Sequence, residues 1–216
     1  MSHLLKVPAL FLATTFLGLL AQLLAAAESK KLLKDTPFEE VVAKAKAGDG
    51  EAQLYLAKGH ALTIGGVPYN KQESHRWYLA AATNGLVEAE LYLGNHYYQE
   101  ALANRGVAAK DKAARNQNAT ASLSWNLKAA KQGSFEAWRR LGIAFDEGRV
   151  YAKDPVEAYK WYHLAIEKGG NKILAPTQQR NALSLKLTPA QIELAKRRAL
   201  DFWDSLGEEK KPTAPK

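Results

Sequence analysis

The sequence predicts an all-α protein, built from three unequal copies of a two-helix unit within 216 residues. The units span 37, 48 and 36 residues, between successive members of the series Gly48, Gly85, Gly133 and Gly169. A tryptophan lies eight residues before each closing glycine, at Trp77, Trp125 and Trp161. So many positions in one register indicate structural repeats rather than a single irregular domain.

The first helix of each unit is predicted from residues spaced by four. Alanine follows the opening glycine by four residues, leucine follows by eight, and a ring follows by twelve. These columns are Ala52, Ala89 and Ala137, then Leu56, Leu93 and Leu141, then His60, Tyr97 and Phe145. Such spacing forms one stripe along a helix. The residue after each leucine is small (Ala57, Gly94, Gly142), which favours close approach of a neighbouring helix.

The second helix of each unit is predicted from capping residues. Asp154-Pro155-Val156-Glu157 combines an N-cap acid, a proline at the first helical position and a glutamate at the third. Asn70 and Asn118 occupy the same column as Asp154, seven residues before their tryptophans, so both are predicted caps. Each second helix should end at its glycine, where a left-handed residue is favoured.

Further segments flank the array. Thr36-Pro37 and Thr188-Pro189 predict helices before and after the repeats. The expected organisation is a signal peptide (1–27), a linker and leading helix (28–48), repeats (49–85, 86–133 and 134–169), capping helices (170–207) and a disordered tail (208–216). Repeat two carries an insertion at about 101–117.

The first 27 residues are predicted to direct export. Lys6 is the only formal charge before Glu28, and the apolar stretch closes on Ala25-Ala26-Ala27, a small-x-small pattern that signal peptidases accept. We therefore expect a periplasmic protein. The alternative is an uncleaved segment that anchors the chain in the inner membrane, because the apolar run approaches the roughly 20 residues that span a bilayer.

The repeat pattern resembles the Sel-like repeat (SLR) family, which is related to tetratricopeptide arrays. The third unit carries it in Leu141-Gly142, Phe145, Gly148, Asp154, Ala158, Trp161-Tyr162, Ala165 and Gly169. The second unit departs from it, with Asn126 after its tryptophan. The resemblance implies a right-handed α/α solenoid of helix-turn-helix repeats, and an adaptor or scaffold of the bacterial envelope.

Enzymatic and metal chemistry is not expected. The chain has no cysteine, and its five histidines show no spacing that places two imidazoles on one helical face. Phosphate-binding and nucleophile-elbow motifs are missing from the sequence. We therefore predict a protein without catalytic residues, metal or cofactor. An envelope-associated hydrolase that uses a pair such as Asp146 and Glu147 is the alternative.

A binding groove is predicted on the face of the first helices opposite the alanine and leucine stripe. Its candidate residues are Leu54, Lys58, Leu91, Asn95, Tyr98, Arg139, Ile143 and Asp146. This mixed, partly apolar set favours a peptide or an envelope or periplasmic protein as partner. Trp138 stands where the other units have Gln53 and Glu90, and it is interpreted as an interhelical contact rather than a ligand site.

The insertion provides a second candidate site. It carries Arg105, Lys110, Lys112 and Arg115 against the single acid Asp111, and the whole chain has a formal charge of +8. Two interpretations stay open: a solvated loop, or a binding element for a polyanion such as an acidic glycan or lipid headgroup. Nucleic acid is not expected as a partner of an exported protein.

Overall fold

The computed structural model describes residue 33 and residues 36–104, 108–169 and 174–206. Within these ranges it has nine α-helices, a 3₁₀ turn at Ile64–Gly66 and no strand, which confirms the predicted all-α class. The helices are α1 (Phe38–Lys46), α2 (Gly50–Leu62), α3 (Lys71–Thr83), α4 (Val87–Ala103), α5 (Ala109–Lys131), α6 (Phe135–Glu147), α7 (Pro155–Gly169), α8 (Leu174–Ser184) and α9 (Pro189–Asp204). The predicted signal peptide and tail lie outside the described residues. None of the described helices is long and apolar enough to cross a membrane.

The chain divides into two compact units, residues 1–81 and 82–216. In the first unit α1 packs against α2, and α3 contacts α2 through Ser74, whose hydroxyl donates to the carbonyl of Ala57 at 2.8 Å. Leu56, Val67 and Trp77 are buried here. The small residue predicted beside Leu56 thus lies where the two helices of the repeat meet.

In the second unit, consecutive helices pack as pairs. Helix α4 packs against α5, α6 against α7, and both α8 and α9 contact α7. Trp138 and Trp161 are almost completely buried in the core, and the ring of Trp161 meets Phe202 of α9 edge-on at 4.9 Å. The C-terminal helices therefore pack on the third repeat and bury Trp161.

Several predicted helix ends are confirmed. The side chain of Asp154 accepts from the backbone N–H of Val156 and Glu157, and Asn70 accepts from Gln72 and Glu73 in the same way. Thr188 and Gln191 form a complete capping box. The glycines that follow the leading helix and the first two repeats have the left-handed φ expected after a helix (Gly48 +97°, Gly85 +80°, Gly133 +78°).

The cap predicted at Asn118 is wrong. Helix α5 begins at Ala109 and passes through Asn118 without a break, so most of the predicted insertion is helical and α4 itself extends to Ala103. The stretch 109–117 consists mainly of alanine, lysine, arginine and glutamine, which have high helix propensity, and contains no glycine or proline. These residues therefore extend the second helix of the repeat rather than form a loop before it.

Trp138 is confirmed as an interhelical contact, and its column is buried in every repeat. The exposed fractions are 6% for Gln53, 3% for Glu90 and 0% for Trp138. Gln53 donates to the carbonyl of Ala45, and Trp138 donates to Ala130, in both cases eight residues earlier. Glu90 cannot donate as a carboxylate, and it accepts from Gln132 at 2.9 Å instead. In the first and third repeats this column ties the first helix to the end of the helix before it, and in the second repeat it ties α4 to the end of α5.

Candidate functional site

The second unit contains a cavity of about 300 Å³ between α4, α5 and α6. Four of the predicted groove residues, Asn95, Tyr98, Arg139 and Ile143, lie on its wall. The other lining residues are Gly94, Gln99, Asn126, Glu136, Arg140, Ala144, Glu147 and Tyr151. The volume is at the lower end of small-molecule pockets and suits one or two side chains of a peptide.

Glu136 organises the charged side of the cavity. Its carboxylate accepts two hydrogen bonds from Arg139, both at 2.8 Å, and one from Arg140 at 2.7 Å. Burial acts to raise the pKa of Glu136, but the bonds from the two guanidinium groups outweigh it and lower that pKa. Arg140 also donates to the backbone carbonyl of Leu91 at 2.8 Å, which links α6 to α4. The carboxylate is therefore charged at neutral pH and holds both arginines in place.

Asn126 forms the floor of the cavity because it replaces a tyrosine. The equivalent positions of the other repeats are Tyr78 and Tyr162, and in the third repeat a Cβ on Gly142 would lie only 2.6 Å from the ring of Tyr162. In the second repeat a Cβ on Gly94 would lie 2.6 Å from the amide nitrogen of Asn126. Asn126 therefore packs against the equivalent glycine of its own repeat, but it is smaller than tyrosine and leaves the volume of the ring unfilled.

Hydroxyl groups complete the inner wall. Ser122 donates to the carbonyl of Gly94 at 2.7 Å, and its oxygen lies 2.8 Å from the hydroxyl of Tyr151. Burial, and then the charge of Glu147, raise the pKa of Tyr98. Burial likewise raises the pKa of Tyr151. Both phenols therefore stay neutral at physiological pH, so they offer hydrogen bonds without charge.

The remaining groove residues do not line this cavity. Leu54 is only 6% exposed, on a helix (α2) against which α1 packs, so it does not lie on an open surface of the first unit. Lys58 is half-buried in the first unit. Leu91 packs against the core of the second unit. Asp146 is half-buried, and after burial itself its charge is the next cause that raises the pKa of Tyr162.

The three basic residues of the insertion that the structure describes do not share one helix face. Arg105 lies outside the described residues. Lys110 and Lys112 are exposed on α5, but a spacing of two places them on different faces of a helix. Arg115 shares a face with Lys112, and its guanidinium donates to the backbone carbonyl of Arg149. Part of this positive charge therefore serves a contact within the second unit.

Several cavity residues were missed by the sequence reasoning, chiefly Gln99, Asn126, Glu136, Arg140 and Tyr151. Asn126 had a signal, because it is the one departure from tyrosine in its column. Tyr151 had none, since it lies in the irregular segment between α6 and α7 and reaches Ser122 from 29 residues away. Among the described residues, no group of three histidine, aspartate or glutamate side chains is placed to hold a metal ion.

No family model matches the chain. A search of curated proteins finds chitin synthase regulatory factor 3 of Schizosaccharomyces pombe, 30% identical over 151 residues, which cover 70% of this chain and 15% of that protein. The chain thus spans only a small part of this relative. A Sel1 repeat protein from Oxalobacter formigenes is 29% identical, with 76% of this chain and 96% of that chain covered and a TM-score of 0.48.

A protective antigen of uropathogenic Escherichia coli that displays an SLR fold is also found. It is 22% identical, with 82% of this chain and 44% of that chain covered and a TM-score of 0.42. The chain is similar to Sel-like repeat proteins.

Proposed function

We propose that the chain is a protein-interaction adaptor that binds a peptide segment of a partner protein in the cavity between α4, α5 and α6. The observation that carries the proposal is that Asn95, Tyr98, Arg139 and Ile143, which come from two different repeats, line one cavity of about 300 Å³. Apolar wall atoms beside a few fixed hydrogen-bonding groups are typical of ligand-binding sites.

The charge distribution of the cavity supports a binding role. Arg139 uses two of its five N–H groups on Glu136, so the others remain for the backbone carbonyls of a bound segment. Its guanidinium is held by the bidentate pair, which reduces the entropy lost when a partner binds. The name of the relative, a regulatory factor of chitin synthase, agrees with a role in protein interaction.

We propose that this adaptor works in the periplasm, because the apolar N-terminal segment ends in Ala25-Ala26-Ala27, a pattern that signal peptidases accept. The partner is then a periplasmic or envelope protein.

Site-specific photo-crosslinking tests the adaptor proposal. A photoreactive amino acid replaces Asn95, which is exposed at the cavity, or, as a matched control, Leu185, which is 89% exposed after α8. We expect one discrete protein adduct from position 95 in living cells, and its absence from position 185. Mass spectrometry identifies the captured segment, and a synthetic peptide of that segment should bind the purified chain.

Two variants then separate the cavity from the basic helix. Tyr98→Ala with Arg139→Ala should remove the adduct, because both side chains line the cavity. Lys110→Ala, Lys112→Ala and Arg115→Ala together should leave it unchanged. Circular dichroism must show wild-type helicity for both. An adduct that survives the first variant and disappears in the second would replace the cavity proposal by the polyanion-docking alternative.

A further inference from the structure

The floor of the cavity holds a hydrogen-bond acceptor that the described residues leave unused. Asn126 is 5% exposed, and its Oδ1 accepts no hydrogen bond within the part of the chain that the structure describes. A buried carbonyl oxygen without a partner is unfavourable, because the hydrogen bonds that it made to water are not replaced. A ligand that donates to this oxygen would replace such a bond.

The orientation of the Asn126 amide is determined by its neighbour. Its Nδ2 donates to the backbone carbonyl of Ser122 at 3.0 Å, and that carbonyl can only accept. The reversed amide would place two acceptor oxygens against each other, so Oδ1 is the atom left without a partner. Oδ1 is closed off from solvent in this structure, so a ligand reaches it after a rotation about the terminal torsion of Asn126, which has a broad energy well.

The rest of the lining favours a ligand group without net charge. The four charged residues of the wall are two glutamates and two arginines, and Glu136 already bonds to both arginines. Glu147 lies 3.5 Å from the guanidinium of Arg149. The other polar groups are amides and phenols, among them Asn95, Gln99 and Tyr98. An anion would face the Asn126 oxygen, and a cation would face the two guanidinium groups.

We infer that this cavity selects a neutral carboxamide, the side chain of a glutamine or asparagine in the bound segment. Its NH₂ donates to Oδ1 of Asn126, and its carbonyl accepts from the unused N–H groups of Arg139. The inference rests on the proposed function for the source of the carboxamide, but the recognition is a property of the cavity alone. Asn126 in place of tyrosine is then the change that makes one repeat specific.

Three small probes of similar size test this selection: propionamide, propionate and propylammonium. They are titrated against the full chain while the backbone amide signals of Gly94, Asn95 and Arg139 are followed by nuclear magnetic resonance. One hydrogen bond is worth about a fivefold change in affinity. We expect propionamide to shift these signals and to bind at least about fivefold more tightly than either charged probe.

Two variants locate the selection. Asn126→Tyr restores the residue of the other repeats, so it should fill the cavity and abolish the shifts without loss of helicity. Asn126→Leu keeps the space and removes the acceptor, so it should bind propionamide no better than propionate; it serves alone if the tyrosine variant does not fold. Tighter binding of propionate, equal binding of all three probes, or no shift at all would overturn the inference.

The outcome is separable from that of the crosslinking experiment. Propionamide selection without a crosslinked partner would overturn the adaptor and leave carboxamide recognition in place. A crosslinked partner without propionamide selection would support the adaptor and overturn carboxamide recognition.

Discussion

Single residues in the repeat columns decide how each repeat differs from the others. Gln53, Glu90 and Trp138 occupy one column and are all buried, but only the first and last can donate to the carbonyl eight residues before them. Glu90 instead depends on Gln132. Burial raises the pKa of the Glu90 carboxyl, although the bond from Gln132 and the charge of Lys128 oppose this. The second repeat therefore carries a carboxylate at a position where the first has an amide.

Glu90→Gln should stabilise the chain at neutral pH by about 1 kcal/mol. The new amide can donate to the carbonyl of Ala82, as Gln53 does to Ala45, and it removes a buried charge. Because the folded carboxyl has the higher pKa, it binds its proton more tightly than the unfolded one. The contribution of Glu90 to stability is therefore largest below the ordinary value of 4.5 and is lost as the pH rises through the folded pKa of this carboxyl.

Urea unfolding between pH 4 and pH 8 measures this difference. The part of the gain that comes from removing the charge should shrink toward pH 4, because the Glu90 carboxyl of the wild type is then mostly protonated in both the folded and the unfolded chain. Glu88→Gln, at an exposed position of the same helix, should change stability by less than about 0.5 kcal/mol. A gain at Glu90 that does not vary with pH would show that burial of the charge is not its cause.

At the scale of helices, capping chemistry and helix propensity compete for the start of each second helix. Asp154 follows an irregular segment and precedes a proline, so capping determines where α7 begins. Asn118 follows nine residues that mainly have high helix propensity, so α5 passes through it. Asn118 does align with Asp154 in the repeat, but it lies inside a helix because helix-forming residues precede it.

Substitution of the two residues should separate these roles. Asp154→Ala should cost about 1 kcal/mol, because the first turn of α7 loses the acceptor for two backbone N–H groups. Asn118→Ala should leave stability unchanged or raise it by up to about 0.5 kcal/mol, since alanine is the better helix former. Thermal unfolding followed by circular dichroism measures both. Equal losses would mean that Asn118 caps a helix after all.

At the scale of the whole chain, the proposed export determines which partners the proposed adaptor would meet. If residues 1–27 are a cleaved signal, the mature protein begins at Glu28 and is recovered from the periplasmic fraction. N-terminal sequencing of cell fractions measures this. Replacement of Ala25 and Ala27 by leucine should block cleavage, because signal peptidases require small residues there. Wild-type protein that is held in the membrane and retains Leu10 to Leu24 would contradict the prediction.

The helical class, the repeat period and most helix ends could be predicted from the amino-acid sequence. They depend on interactions between residues a few positions apart, such as the bonds from Asp154 to Val156 and Glu157, so their signals are local. The long helix α5 had a local signal too, in its run of helix formers, but the expected cap at Asn118 was given more weight.

The burial of Leu54 and the cavity itself were decided by tertiary packing. The spacing of four residues along α2 places Leu54 on the predicted groove face. That spacing carries no information on how α1 packs against α2. The cavity requires Gly94, Asn126 and Arg139 to meet from three helices. The replacement of tyrosine by Asn126 is visible in the sequence, but its consequence is not. Only the tertiary structure shows that the missing ring leaves a space, because an unfilled volume depends on all the atoms that surround it.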